Sequence, residues 1–134
     1  MSERPVAVHK FGGTSLGDAS RIVNAARILA GASRRNRLVA VASAMGGVTD
    51  LLLAAAHDAE RGRLGPARKT VAEIAARHEA AAAGIASATG TPVSFDAAPL
   101  VELDTALSGI SLLRERTPRV TDLVASFGER LSAP

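Results

Sequence analysis

The sequence predicts an α/β fold built on a parallel sheet, and three observations predict it. Two short apolar runs, Val6 to Phe11 and Leu38 to Ala42, are separated by a segment of helical period. Each run ends in a glycine turn and leads into a helix, so the order strand, turn, helix occurs twice. Hydrophobic residues make up 47% of the 134 residues but aromatics only 2%, with no Trp or Tyr. The core must therefore be made of Ala, Val, Leu and Ile, which favours close helix packing.

Val6 to Phe11 reads as a buried strand, closed by a tight turn at Gly12-Gly13. From Asp18 the period changes: Ile22, Val23, Ala26, Leu29 and Ala30 recur at helical spacing, with Asp18 as N-cap and Gly31 as stop. Leu38 to Ala42 is the second strand, closed by Ser43-Ala44-Met45-Gly46-Gly47. A Leu- and Ala-rich helix follows from about Thr49 to Glu60. Two strands joined through a helix imply a right-handed βαβ unit.

Beyond Gly62 the pattern is helical. Pro66 to Ala83 reads as a long Ala-rich helix with Glu73 and Arg77 placed to pair at i,i+4. Gly90-Thr91-Pro92 marks a loop, after which Leu100, Leu103, Leu107, Ile110 and Leu113 line one helical face. Thr117-Pro118 starts a last helix with the stripe Val120, Leu123, Val124, Phe127 and Leu131. No internal repeat is visible. A parallel sheet normally has several strands and both faces covered, and only two strands are found here, both within the first 42 residues. The sheet is expected to be incomplete in this chain, which stops at Pro134 just after an amphipathic helix.

Composition excludes several function classes. With no Cys there is no disulfide scaffold, thiolate metal site or cysteine nucleophile. The net charge of +3 is a weak pointer to nucleic acid, and the densest basic cluster, Arg34, Arg35 and Arg37, has no interleaved aromatic to stack on bases. It reads as a solvated helix end, and no nucleic-acid partner is expected. No stretch approaches the roughly 18 apolar residues of a membrane span, and the N-terminus lacks the apolar run of a secretory signal. A cytoplasmic protein without a membrane partner is the expectation. His9, His57 and His78 lack paired-ligand spacing, so no protein metal site is expected.

Two constellations carry chemistry. In Lys10-Phe11-Gly12-Gly13-Thr14-Ser15 the glycines let the backbone approach a ligand, and successive N–H groups can point at anionic oxygens. The helix beginning near Asp18 adds its positive end, and Lys10 can place an ammonium beside the same oxygens. In physical terms this is a phosphate site, although it matches neither the GxxxxGK[ST] nor the GxGxxG spacing. Ser43-Ala44-Met45-Gly46-Gly47-Val48-Thr49-Asp50 occupies the same position after the second strand. Ligands of open α/β sheets bind at the carboxyl ends of the strands, so both turns can face one pocket. Ser43 and Thr49 offer hydroxyl donors for a carboxylate or phosphate. Thr49 or Asp50 can also cap the next helix, and for Asp50 that is the preferred role.

These two motifs, followed by Ser126-Phe127-Gly128-Glu129-Arg130-Leu131-Ser132, stand in the order seen in aspartate kinases of the amino acid kinase family, which the chain resembles over nearly its whole length. The resemblance implies an open, mostly parallel sheet in an α/β/α sandwich. Residues 5–61 would form a βαβα phosphate- and substrate-binding core, 62–116 a helical insert and 117–134 a substrate-binding helix. It implies that Lys10 neutralises the transferring phosphoryl group and that Lys10, Phe11, Gly12, Gly13 and Thr14 bind ATP phosphates. Ser43 and Thr49 would hold the substrate near its carboxylates, and Glu129 would pair with its α-ammonium group.

It further implies ATP with Mg²⁺ as cosubstrate, the metal being held mainly by phosphates, L-aspartate as acceptor, and a homo-oligomeric full-length parent. The reaction would be the first step toward lysine, threonine and methionine. Aspartate's β-carboxylate, with a pKa of about 3.9, is already ionised at neutral pH, so no general base is needed and catalysis rests on positioning and charge neutralisation. A relative with a different acceptor, or a non-catalytic fragment that binds phosphate or a partner chain, are the other readings. Family members continue well beyond this length, so the chain alone is expected to be inactive.

Overall fold

The structure is a computed structural model that describes residues 4–133. In chain order it contains β1 (Val6–Phe11), a short 3-10 turn (Gly13–Leu16), α1 (Ala19–Ser33), β2 (Arg37–Ala42), α2 (Val48–Glu60), α3 (Leu64–Thr89), α4 (Ala98–Leu113) and α5 (Pro118–Ser132). Among the described residues the sheet has two strands, paired in parallel from Val6 opposite Arg37 to Phe11 opposite Ala42. The α/β class and the parallel pairing agree with the sequence reading.

The alternation along β1 and β2 gives the sheet two unlike faces. Ala7, His9 and Phe11 are half-buried on the side that faces α1 and α3, whereas Val6, Val8, Val39 and Val41 are exposed on the other. The strands are therefore covered on one side only, and among the described residues no element packs over the row of valines on the other. Between the covered face, α1 and α3 lies an apolar cavity of about 320 Å³, lined in part by Phe11, Leu29, Ala42, Met45, Ile85 and Phe95.

The core lies among the helices. Leu52, Ile74, Leu103, Leu107, Val124 and Phe127 are fully buried in one cluster, so α3 and α4 share a core with α2 and α5. Small residues make this possible: Ala55, Ala56, Ala59 and Ala67 are completely buried and let the helix axes approach closely. Leu113 and Leu123, expected on apolar stripes, are instead 72% and 48% exposed. His78 is buried, its Nδ1 2.8 Å from the Ile74 carbonyl and its ring stacked on Phe95.

Helix ends explain most boundary differences. Asp18 caps α1 as expected, accepting from the Arg21 N–H at 2.9 Å. Gly31 does not stop that helix, which runs to Ser33, because a single glycine weakens a helix by only about 1 kcal/mol. α3 begins two residues before Pro66, since a proline lacks only an N–H that the first turn leaves unbonded. It runs on to Gly90, whose φ of 68° forms a left-handed C-cap. Thr117 caps α5 with Pro118 at its first position, as the sequence indicates.

One interhelical ion pair gives a pH prediction. Arg68 on α3 donates to both carboxylate oxygens of Asp104 on α4, at 2.7 and 2.9 Å, and these bonds hold the Asp104 pKa below its ordinary 3.8. A lowered folded-state pKa stabilises the fold above the unfolded-state value, and the gain disappears as pH falls through the folded-state value. Melting curves should show wild type above Asp104→Asn from neutral pH down to about pH 4. The difference should shrink below that, and a difference that grows on acidification would contradict this sign. Both side chains are about half exposed, so the effect is small.

Candidate active site

The carboxyl ends of both strands and the N-terminal end of α2 meet at one edge of the sheet. The ladder continues one residue past β2, where the Ser43 N–H donates to the Phe11 carbonyl at 3.0 Å. This bond ties the start of the second motif to the end of β1. The two glycine turns then touch. A Cβ on Gly13 would lie 3.1 Å from the Ala44 carbonyl oxygen, and one on Gly46 would lie 3.1 Å from the Gly13 carbonyl oxygen. Neither turn can carry a side chain at these positions without the other backbone giving way.

The third motif closes on the second. A Cβ on Gly128 would meet the Ala44 Cβ at 2.7 Å and the Thr49 Oγ1 at 3.6 Å, so α5 lies directly against that turn. The Met45 N–H also donates to the Ser132 hydroxyl at 3.1 Å. All three sequence motifs, more than 110 residues apart at their extremes, are thus assembled in one place by contacts of backbone and small side chains.

Lys10 is the last outward-facing residue of β1, exposed and opposite Val41. Phe11 points to the covered face, half-buried. Gly12 leads into the 3-10 turn, where its carbonyl accepts from the Ser15 N–H at 2.9 Å. Among the described residues the N–H groups of Gly13 and Thr14 have no acceptor, which leaves two adjacent donors for an anion. The N-terminus of α1 is less available than the sequence suggests, because the Asp18 carboxylate already occupies it. That carboxyl is held below its ordinary value by hydrogen bonds from the Ser20 hydroxyl and the Arg21 N–H.

Ser43 and Thr49 are half-buried at the second turn. The N-cap of α2 is Gly47, with φ of 79°, rather than Asp50, which lies exposed in the first turn without capping it. Glycine has no side-chain acceptor, so this helix end has no side-chain cap, and the positive φ at Gly47 is one that glycine adopts without strain. Glu129 follows Gly128 on α5 and is exposed, and among the described residues neither it nor Lys10 forms an ion pair. Its neighbour Arg130 is engaged elsewhere, 2.9 Å from Glu102 and stacked over the Phe127 ring.

Three residues at the site lie outside the sequence assignments. Ser132 closes the second turn onto α5, and its place at the end of the third motif was the available signal. Arg77 does not join Glu73 in an ion pair. Its guanidinium instead lies over Gly47, 3.5 Å from where a Cβ would be. Arg21 donates to the Thr14 carbonyl at 2.6 Å. Nothing in the spacing of either arginine marks it, since both look like solvated helix charges. Among the described residues no helix is long and apolar enough to cross a membrane.

Comparison with known proteins places this geometry. The chain is similar to E. coli aspartokinase III in complex with lysine and aspartate (T-state), with a TM-score of 0.70, 26% identity and 97% of this chain covered. It is also similar to the same enzyme in complex with aspartate and ADP (R-state), with a TM-score of 0.62, 29% identity and 96% covered. For Clostridium acetobutylicum aspartate kinase, described as an allosteric enzyme, the values are 0.60, 25% and 95%. In each case the chain spans 27% of the length of the solved structure. No curated protein matches the chain. Residues 5–134 match the amino acid kinase family, so with its parallel βαβ core and paired glycine turns the chain belongs to that family.

Proposed function

We propose that the chain supplies the phosphate turn and part of the acceptor site of an aspartate kinase, which transfers the ATP γ-phosphoryl group to the β-carboxylate of L-aspartate. The observation that carries this reading is the convergence of the three motifs at one sheet edge, with Gly13 against Gly46 and Gly128 against Ala44 and Thr49. Similarity to aspartokinases solved with aspartate and with ADP supports it.

In this reading the free N–H groups of Gly13 and Thr14 receive the ATP phosphates, and Lys10 balances the charge that spreads over the transferring group. Ser43 and Thr49 orient the aspartate by its carboxylates, and Glu129 fixes the α-ammonium group. Donors already aligned by the packed turns need no rearrangement when the substrate arrives, so the acceptor oxygen and the phosphorus are held in line. Magnesium bound with ATP would neutralise phosphate charge. The parent enzyme would act at the head of lysine, threonine and methionine biosynthesis, as a homo-oligomer in the cytoplasm. Within it, residues 5–61 would be the binding core, 62–116 an insert and 117–134 the substrate helix.

The test is hydroxylamine trapping of the acyl phosphate. The isolated chain, given ATP, Mg²⁺ and aspartate, should form no aspartyl hydroxamate, because among the described residues its sheet has two strands and one exposed face. A hybrid in which it replaces the matching segment of E. coli aspartokinase III should form it from aspartate and not from glutamate. Product from glutamate would move the assignment to another acceptor. A folded hybrid that is inactive with both would overturn the kinase reading.

A further inference from the structure

The turn bearing the free N–H groups is held in shape from outside the three motifs. Arg21 lies in the first turn of α1, and its Nη1 donates to the Thr14 carbonyl at 2.6 Å. Its Nε lies 3.4 Å from the Asp18 carboxylate, which also accepts from the Ser20 hydroxyl at 2.6 Å and from the Arg21 N–H at 2.9 Å. The guanidinium is therefore fixed between the cap of α1 and the middle of the 3-10 turn.

We propose that Arg21 is a positioning residue for phosphate binding, acting through the peptide units of the turn. This inference rests on the reading of that turn as the phosphate site. Each trans peptide is planar, with its C=O and N–H pointing in opposite directions. Holding the Thr14 carbonyl toward Arg21 directs the Ser15 N–H the other way, into its 2.9 Å bond with the Gly12 carbonyl. That bond in turn fixes the Gly12–Gly13 peptide and leaves the Gly13 N–H pointing away from the turn, free for an anionic oxygen. Hydrogen bonds linked in series polarise one another, so a cation on the Thr14 carbonyl strengthens the closure at Ser15. The ligand class is a di- or triphosphate chain. The guanidinium reaches toward Asp18 through Nε and to the Thr14 carbonyl through Nη1, so the role assigned to Arg21 runs through the turn rather than through the ligand. Without Arg21 the Thr14 carbonyl is released, and a carbonyl oxygen turned toward the site repels phosphate.

The experiment titrates the ¹⁵N-labelled 134-residue chain with pyrophosphate and follows backbone amide resonances. Wild type should show saturable shifts at Gly12, Gly13 and Thr14. Arg21→Met should bind roughly 10-fold more weakly, the order of one charge-assisted hydrogen bond, and should show an altered Ser15 ¹⁵N shift before any ligand is added. Arg21→Lys should recover part of both. Arg27→Met, which removes the same charge from an exposed position of α1, should bind like wild type.

Wild-type affinity in Arg21→Met would overturn the positioning role and leave the phosphate turn standing. Equal weakening in Arg27→Met would assign the effect to net charge and overturn it too. Absence of any shift at the turn in wild type would remove the phosphate reading and this inference together.

Discussion

Replacing Lys10 with alanine is expected to lower phosphoryl transfer about 100- to 1000-fold, equivalent to about 3–4 kcal/mol of transition-state stabilisation. The effect should fall on turnover, with the KM for aspartate changed only slightly. Lys10 is the last residue of β1 on its exposed face, separated from Gly12 and Gly13 only by Phe11, and it makes no ion pair among the described residues. An ammonium so placed would be matched by phosphate charge only when nucleotide is bound. The charge on the phosphoryl oxygens is spread most widely in the transition state, so a fixed cation there stabilises that state more than the ground state. In the proposed reaction aspartate is the other reactant, so its affinity should be nearly independent of Lys10. Hydroxamate formation by the hybrid enzyme, measured across aspartate concentrations, separates the two effects. A Lys10→Ala variant with normal turnover and a raised aspartate KM would instead place Lys10 in acceptor binding.

The second large effect is on stability. Phe127→Ala should destabilise the chain by about 3–5 kcal/mol, the range for removing a large buried aromatic and leaving a cavity. Phe127 is 1% exposed and is the largest fully buried side chain, among Leu52, Leu103, Leu107 and Val124. Arg130 also lies over its ring, 4.7 Å from the centroid. A domain of this size is stable by only about 5–15 kcal/mol, so the midpoint of thermal unfolding should fall by on the order of 10–20 °C. Phe127 stands on the same helix as Gly128 and Glu129, so loosening it also loosens the contact of α5 with Ala44. A loss under about 1 kcal/mol by denaturant titration would mean that the helical core is not packed around this ring.

Much of the fold was legible because it is written in local periods. The strands, the helices, the Asp18 and Thr117 caps and the turn at Gly90 follow from the spacing of apolar residues and from capping chemistry. That local pattern was misleading where a distant element decides the outcome. Asp50 looks like a cap, but Gly47 takes that position because α5 and the first turn pack against Ala44 and Gly46. Glu73 and Arg77 have ideal spacing for an ion pair, yet Arg77 reaches across to Gly47. Leu113 and Leu123 fit apolar stripes but are left largely exposed by the packing of the described residues.

By itself the sequence determined the α/β class, the two glycine turns, the order of three motifs and, through them, the family. Those features depend on residue types at short separations, where backbone geometry and side-chain chemistry act directly. Only the tertiary structure decided that the turns touch at Gly13 and Gly46, that Gly128 closes on Ala44, and that Arg21 holds the Thr14 carbonyl. Such contacts join residues that are far apart in the chain or look like surface charges. The glycine contacts arise where packed turns and helices leave room for a backbone and for nothing larger. The arginine contact arises where a helix start lies beside the turn, and no local pattern records either fit.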